Sequence, residues 1–147
     1  KQDLNNILLR FSNIVKRRLK KCEMAQSLGD LKKMNSNSKW MIVSGGDQKE
    51  LRSVFSYRNA DKFFDGGIHG SPRTKYQIID DMLIRKKINA PVLFLGDSSY
   101  DFEVSQNHNF DFIFVSDWTE LDGWEKFCSK NKINAINNLS KLLELKD

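Results

Sequence analysis

The spacing of apolar residues divides the chain into a helical first quarter and a body in which strands alternate with helices. Over residues 3–22 apolar side chains recur every three or four positions and form one stripe, which predicts an amphipathic helix. The stripe consists of Leu4, Ile7, Leu8, Phe11, Val15 and Leu19. A shorter helix is predicted over residues 24–33, before a polar Asn/Ser linker. We therefore expect a helical cap segment at residues 1–38 and an α/β core at residues 39–147.

Short apolar runs at residues 40–43, 92–95 and 112–115 are typical of buried strands. Helical patterns follow each of them, and a short edge strand is predicted at residues 135–136. Strands that alternate with helices indicate βαβ units, so we predict an α/β fold with three layers and a mostly parallel sheet. The glycine spacing of a dinucleotide-binding turn and the Gly-Lys-Ser/Thr of a phosphate loop are both missing.

Length and composition narrow the class of protein. The chain has 147 residues, 39% of them hydrophobic, which suits one domain or one domain with a small appendage. No apolar run approaches the ~20 residues that cross a bilayer, so no membrane association is expected. The two cysteines, Cys22 and Cys128, are far apart and lack metal-ligand spacing. We interpret them as reduced thiols of a cytoplasmic protein.

The positive charge of the chain is local. The formal net charge is +5, and residues 16–21 hold five cations in six positions. Such a run is usually the solvated face of a helix, although it could contact nucleic acid. No aromatic residues alternate with the cations, as a surface that stacks bases would require. A basic nucleic-acid-binding protein therefore ranks last among the alternatives.

An acidic turn after the second strong strand is the most informative motif. The apolar run at residues 92–95 leads into Gly96 and Asp97, and Asp101 follows four positions later. Open α/β sheets place ligands at the carboxyl ends of their strands. Two close carboxylates repel each other unless a cation lies between them, which suggests a Mg²⁺ site. The alternative is a turn in which Asp97 or Ser98 only caps the next helix.

Two further segments carry polar groups suited to phosphate. Ser44 follows the first strand with a hydroxyl, and Gly45 and Gly46 leave backbone N–H groups open to an anion. Lys75 lies in the first turn of a predicted helix, where a positive charge is electrostatically misplaced. That position is explained if the ammonium faces an anionic ligand or a carboxylate. The alternatives are a capping role for Ser44 and a solvated surface role for Lys75.

The order strand–Ser, Gly-Ser-Pro-x-x-Lys, strand–Gly-Asp-x-x-x-Asp over residues 39–118 resembles the haloacid dehalogenase (HAD) superfamily, and more narrowly its phosphoglycolate-phosphatase-like branch. The resemblance implies a Mg²⁺-dependent phosphomonoester hydrolase acting on a small phosphorylated metabolite. Ser44, Gly45 and Gly46 would bind the phosphoryl group. Lys75 would neutralise the negative charges of the phosphate and of the nucleophilic carboxylate. Asp97 would ligate Mg²⁺ directly, and Asp101 would ligate it or orient a coordinating water.

The family's first motif, an Asp-x-Asp after an amino-terminal strand, has no match before Ser44. Because the first Asp of that motif is the nucleophile that forms an aspartyl-phosphate, we expect residues 1–147 to be inactive on their own. The missing strand would lie between the strands that end at Ser44 and Asp97. We expect it upstream of Lys1, on a separate amino-terminal fragment, or replaced by a partner strand in a homo-oligomer. The alternative is a non-catalytic HAD-like binding or interaction module.

Overall fold

The computed structural model describes residues 2–144, which form six helices, five strands and two short 3₁₀ turns. The helices are α1 (Gln2–Lys21), α2 (Leu28–Met34), α3 (Gln48–Tyr57), α4 (Lys75–Ile84), α5 (Ser99–Asn107) and α6 (Trp124–Asn131). The strands are β1 (Met41–Asp47), β2 (Gly67–Ser71), β3 (Leu93–Gly96), β4 (Asp111–Val115) and β5 (Asn134–Ile136). The 3₁₀ turns cover Asp61–Phe63 and Leu139–Leu143. None of the described helices is both long enough and apolar enough to cross a bilayer.

All strand pairs in the described residues are parallel, which confirms the predicted α/β class. The strands form two sheets, one of order β1-β2 and one of order β3-β4-β5. In the second sheet Leu93 pairs with Asp111 and Gly96 pairs with Phe114. The carboxyl ends of β3 and β4 therefore lie side by side, so the loops that follow them meet at one edge of the sheet.

Contacts divide the chain into two compact units. The first comprises the segment up to Met24 and Asn37–Thr74, and the second comprises Ala25–Ser36 and the chain from Lys75 onward. This division crosses the boundary predicted at residue 38, because α1 packs on α3 whereas α2 packs against the last 3₁₀ turn. The division into a cap and a core stays a prediction.

The first unit is built on the β1-β2 ladder. Arg58 Nη1 donates to the Leu19 carbonyl at 3.0 Å, and Ser12 Oγ donates to the Glu50 carboxylate, so α1 is attached to α3 through polar contacts. Much of the predicted apolar stripe of α1 remains open: Leu4, Ile7, Leu8 and Phe11 are 61%, 62%, 56% and 65% exposed. The helix was predicted correctly, but its stripe is not buried in this unit.

The second unit has a core of aromatic and branched side chains around β4. Phe114 is fully buried and stacks on Trp124 with ring centroids 5.8 Å apart. Ile78 of α4 and Val104 of α5 are also fully buried, and α5 packs against β3 and β4. The prediction that β3 is buried was wrong for one face, because Leu93 remains 51% exposed on a strand at the edge of this sheet.

Candidate active site

The turn that follows β3 combines helix capping with a carboxylate cluster. Ser98 is the N-cap of α5, and its Oγ accepts a hydrogen bond from the Asp101 backbone N–H at 3.1 Å. The same hydroxyl donates to Asp101 Oδ2 at 2.8 Å. Ser98 therefore caps α5, and the hydroxyl that forms the cap also hydrogen-bonds the Asp101 carboxylate.

Gly96 is required at the end of β3 because Asp101 packs directly against its backbone. A Cβ at position 96 would lie 2.4 Å from Asp101 Cβ and 2.9 Å from Asp101 Oδ2. Real Cβ atoms do not approach that closely, so any side chain at this position would displace Asp101. The residue Gly96 thus lets an acidic side chain that is only 3% exposed lie beside the strand end.

Lys75 and Asp101 form a buried ion pair between the first residue of α4 and the first turn of α5. Lys75 Nζ donates to Asp101 Oδ1, and the two side chains are 15% and 4% exposed. The ammonium also lies 5.8 Å from the centroid of the Tyr100 ring. A carboxylate opposite the helix terminus compensates the unfavourable placement of a positive charge there.

Of the two aspartates at this turn, Asp101 is buried and Asp97 is exposed. Desolvation of its carboxyl raises its pKa, and the negative charge of Asp101 raises it further. A hydrogen bond from its own backbone N–H and the charge of Lys75 act in the opposite direction without cancelling the effect. Because desolvation and the neighbouring anion disfavour the ionised form of Asp97, a bound cation would stabilise that form.

Asp97 and Asp101 are suited to different roles at a magnesium ion. Both oxygens of Asp101 are engaged, Oδ1 by Lys75 and Oδ2 by Ser98, whereas Asp97 is exposed and lines a cavity. Asp97 is thus suited to be a direct ligand and Asp101 to orient the site. Among residues 2–144 no group of three or more acidic, His or Cys side chains could hold a metal. One or two carboxylates suffice for Mg²⁺ when phosphate oxygens and waters complete its coordination shell.

The predicted phosphate-binding residues Ser44, Gly45 and Gly46 belong to the first unit, where β1 continues through them to Asp47. Gly46 N–H donates to Ser44 Oγ at 3.1 Å, whereas a Cβ at Gly45 would meet no atom within 4 Å. Asp47, not Ser44, caps α3 by accepting the Glu50 N–H. The structure brings Lys75, Asp97 and Asp101 together in the second unit. The participation of Ser44 stays a prediction.

Sequence reasoning missed the loop after β4. Thr119 Oγ1 donates to the Asp97 carbonyl at 2.5 Å, which attaches this loop to the acidic turn. The side chain of Trp118, which lies in the same loop, is 69% exposed. The parallel pairing of β4 with β3 was the available signal, since residues after neighbouring parallel strands meet at one edge.

Comparison with known proteins identifies the fold. Neither a family model nor a curated protein matches the sequence. A HAD-superfamily hydrolase from Ehrlichia chaffeensis superposes with a TM-score of 0.59 over 79% of this chain, at 24% identity. A candidate phosphatase from Clostridium difficile superposes with a TM-score of 0.66 over 84% of this chain, at 14% identity. The chain has a HAD-like fold. This HAD-like chain spans 52% and 60% of the lengths of those two proteins.

Proposed function

We propose that this chain is part of a Mg²⁺-dependent phosphomonoester hydrolase that acts on a small phosphorylated metabolite. The observation that carries the proposal is the buried Lys75–Asp101 ion pair beside the exposed Asp97, at the carboxyl end of β3. The likeness of the fold to a hydrolase and a candidate phosphatase supports it. The phosphoglycolate-phosphatase-like branch is part of the same proposal.

The proposed chemistry needs charge neutralisation and positioning around a phosphate dianion. Lys75, held by Asp101, offers a fixed positive charge to a phosphoryl oxygen and to a nucleophilic carboxylate. Asp97 would hold the cation, which would supply positive charge that lowers the repulsion between phosphate and nucleophile. Ser44 and the Gly45 N–H donate hydrogen bonds to the remaining phosphoryl oxygens. Asp101 acts as a positioning residue for Lys75.

We further propose that the nucleophile is a carboxylate from a segment outside residues 1–147, either upstream or on a separate fragment. Its oxygen attacks phosphorus and the P–O bond to the substrate alcohol breaks, while a second acid from the same segment protonates the leaving oxygen. Water then attacks the aspartyl-phosphate and releases inorganic phosphate. The whole cycle consumes one water and yields the alcohol and phosphate.

A non-catalytic HAD-like module is the second candidate. It is favoured by one observation, namely that residues 2–144 contain no group of three or more Asp, Glu, His or Cys side chains that could hold a metal. Such a module would bind Mg²⁺ and phosphate and would not turn the ester over.

Mg²⁺ binding by residues 1–147 is the first test. We expect a Mg²⁺ titration followed by NMR to shift the backbone signals of the turn at residues 96–101, and Asp97→Asn to abolish those shifts. Asp111→Asn is the matched control, because Asp111 begins β4 at the opposite end of the same sheet. Equal Mg²⁺ responses in the two variants would contradict the proposed metal site.

Phosphate release by the longest natural form of the protein is the second test. We expect release from members of a broad phosphomonoester panel in the presence of Mg²⁺, and its loss in Lys75→Met. No release from any ester, with intact Mg²⁺ binding, would favour the non-catalytic module. Turnover by residues 1–147 alone would refute the external nucleophile.

A further inference from the structure

A cavity of about 420 Å³ opens beside the acidic turn, within the second unit. Its lining residues are Asp97, Ser98, Ser99, Trp118, Glu120 and Leu121. The volume is in the range of small-molecule sites. None of the lining residues is basic, and two of them, Asp97 and Glu120, are acidic. For the part of a ligand that lies away from its phosphate, the cavity therefore favours a positively charged group over an anionic one.

Trp118 presents an open indole to this cavity. Within residues 2–144 its ring packs against no other aromatic ring and its indole N–H has no acceptor. Trp124, by contrast, stacks on Phe114 in the core. The neighbouring Thr119 is hydrogen-bonded to the Asp97 carbonyl, and the Leu121 N–H donates to Thr119 Oγ1 at 3.0 Å. The loop therefore holds the exposed indole next to the proposed metal ligand.

Glu120 supplies the second element of the site. It is exposed, and within the described part of the chain its carboxylate forms neither a hydrogen bond nor an ion pair. An aromatic face combined with a carboxylate is the chemistry that recognises ammonium groups, since both attract a cation and the ring needs no hydrogen-bond donor. An uncharged planar ligand would stack on the indole but would give the Glu120 carboxylate no positive charge to pair with.

We propose that Trp118 and Glu120 form a subsite for an ammonium group, so that the substrates are phosphomonoesters of amino alcohols. The phosphate end would lie at Asp97 and the ammonium end at Trp118. The inference rests on the proposed function for the phosphate end only, because ammonium binding can be measured on the alcohol without phosphate.

Choline is the probe, and its uncharged isostere with carbon in place of nitrogen is the matched ligand. On ¹⁵N-labelled protein we expect choline to shift the Trp118 indole signal saturably, while the isostere binds at least about twofold more weakly, as an exposed cation–π contact implies. The Trp118 signal is identified by its loss in Trp118→Phe. The Trp124 indole signal should stay unchanged, which also shows that each variant is folded.

Two substitutions test the assigned residues. Trp118→Leu and Glu120→Gln should each weaken choline binding by at least about twofold. Glu125→Gln removes the same charge from the first turn of α6, outside the lining residues, and should leave choline binding unchanged. An equal effect of Glu120→Gln and Glu125→Gln would overturn the assignment of Glu120.

Other outcomes separate the two proposals. Equal binding of choline and its isostere, stronger binding of adenosine than of choline, or no saturable shift would each refute the ammonium subsite. Phosphate release from glycerol phosphate without preference for phosphocholine would refute it too, and would leave the phosphatase intact. Choline binding, together with no phosphate release from any ester by the longest natural form of the protein, supports the subsite and refutes the hydrolase.

Discussion

Replacing Lys75 by Met should destabilise the second unit strongly. Asp101 is 3% exposed, so the substitution leaves a buried carboxylate without its counter-ion. Removing one partner of a buried pair costs about 3–5 kcal/mol, because the remaining charge keeps its desolvation penalty. The hydrogen bond from Ser98 Oγ to Asp101 Oδ2 remains, which favours the lower end of that range.

Arg85→Met is the matched control for this prediction. Arg85 Nε donates to Asp81 Oδ1 at 2.7 Å, but the two side chains are 67% and 29% exposed. An exposed pair one turn apart on a helix is worth at most about 1 kcal/mol. Both variants remove a positive charge at an end of α4, Lys75 at its first residue and Arg85 just after its last, and the two ion pairs differ in burial.

Urea unfolding followed by circular dichroism measures both effects as changes in the midpoint at constant slope. The double variant Lys75→Met with Asp101→Asn should recover most of the stability lost in Lys75→Met, since it removes the buried charge as well. A loss in Lys75→Met no larger than in Arg85→Met would refute the reasoning that burial makes this pair strong. A double variant less stable than Lys75→Met would refute the unpaired charge as the cause.

Three further outcomes are expected. Gly96→Ala should cost about 1–3 kcal/mol in urea unfolding, because its Cβ would overlap Asp101 Cβ, and an unchanged midpoint would contradict that packing. Asp97→Asn should raise the melting temperature near neutral pH in chelator, because the fold raises the pKa of this carboxyl and its ionised form costs stability. That advantage should vanish as the pH falls below about 3.9, the unfolded pKa, and a variant less stable than the parent at neutral pH would contradict the sign. Asp47→Ala removes the acceptor of the Glu50 N–H and should cost about 0.5–2 kcal/mol, whereas the exposed Asp111→Ala should cost less.

Local signals predicted the elements well. The apolar runs located β1, β3 and β4, and Ser98, one of the two capping residues considered, is the observed N-cap of α5. These features depend on neighbours within a few positions, so the sequence carries them directly. The end of β1 was less predictable, because β1 continues through Ser44, Gly45 and Gly46. A Cβ at Gly70 of β2 would lie 2.3 Å from the Gly46 carbonyl, so that extension depends on a close approach between strands.

The sequence by itself determined the alternation of strands and helices, the parallel pairing and the acidic turn after β3, because each follows from periodicity or from the residues at one strand end. Only the tertiary structure decided that Lys75 pairs with Asp101 across 26 positions and that Trp118 lies open beside Asp97. Partner choice and exposure depend on which surfaces the packed elements leave free. No local pattern in the sequence predicts which residues of distant elements contact each other or which stay exposed.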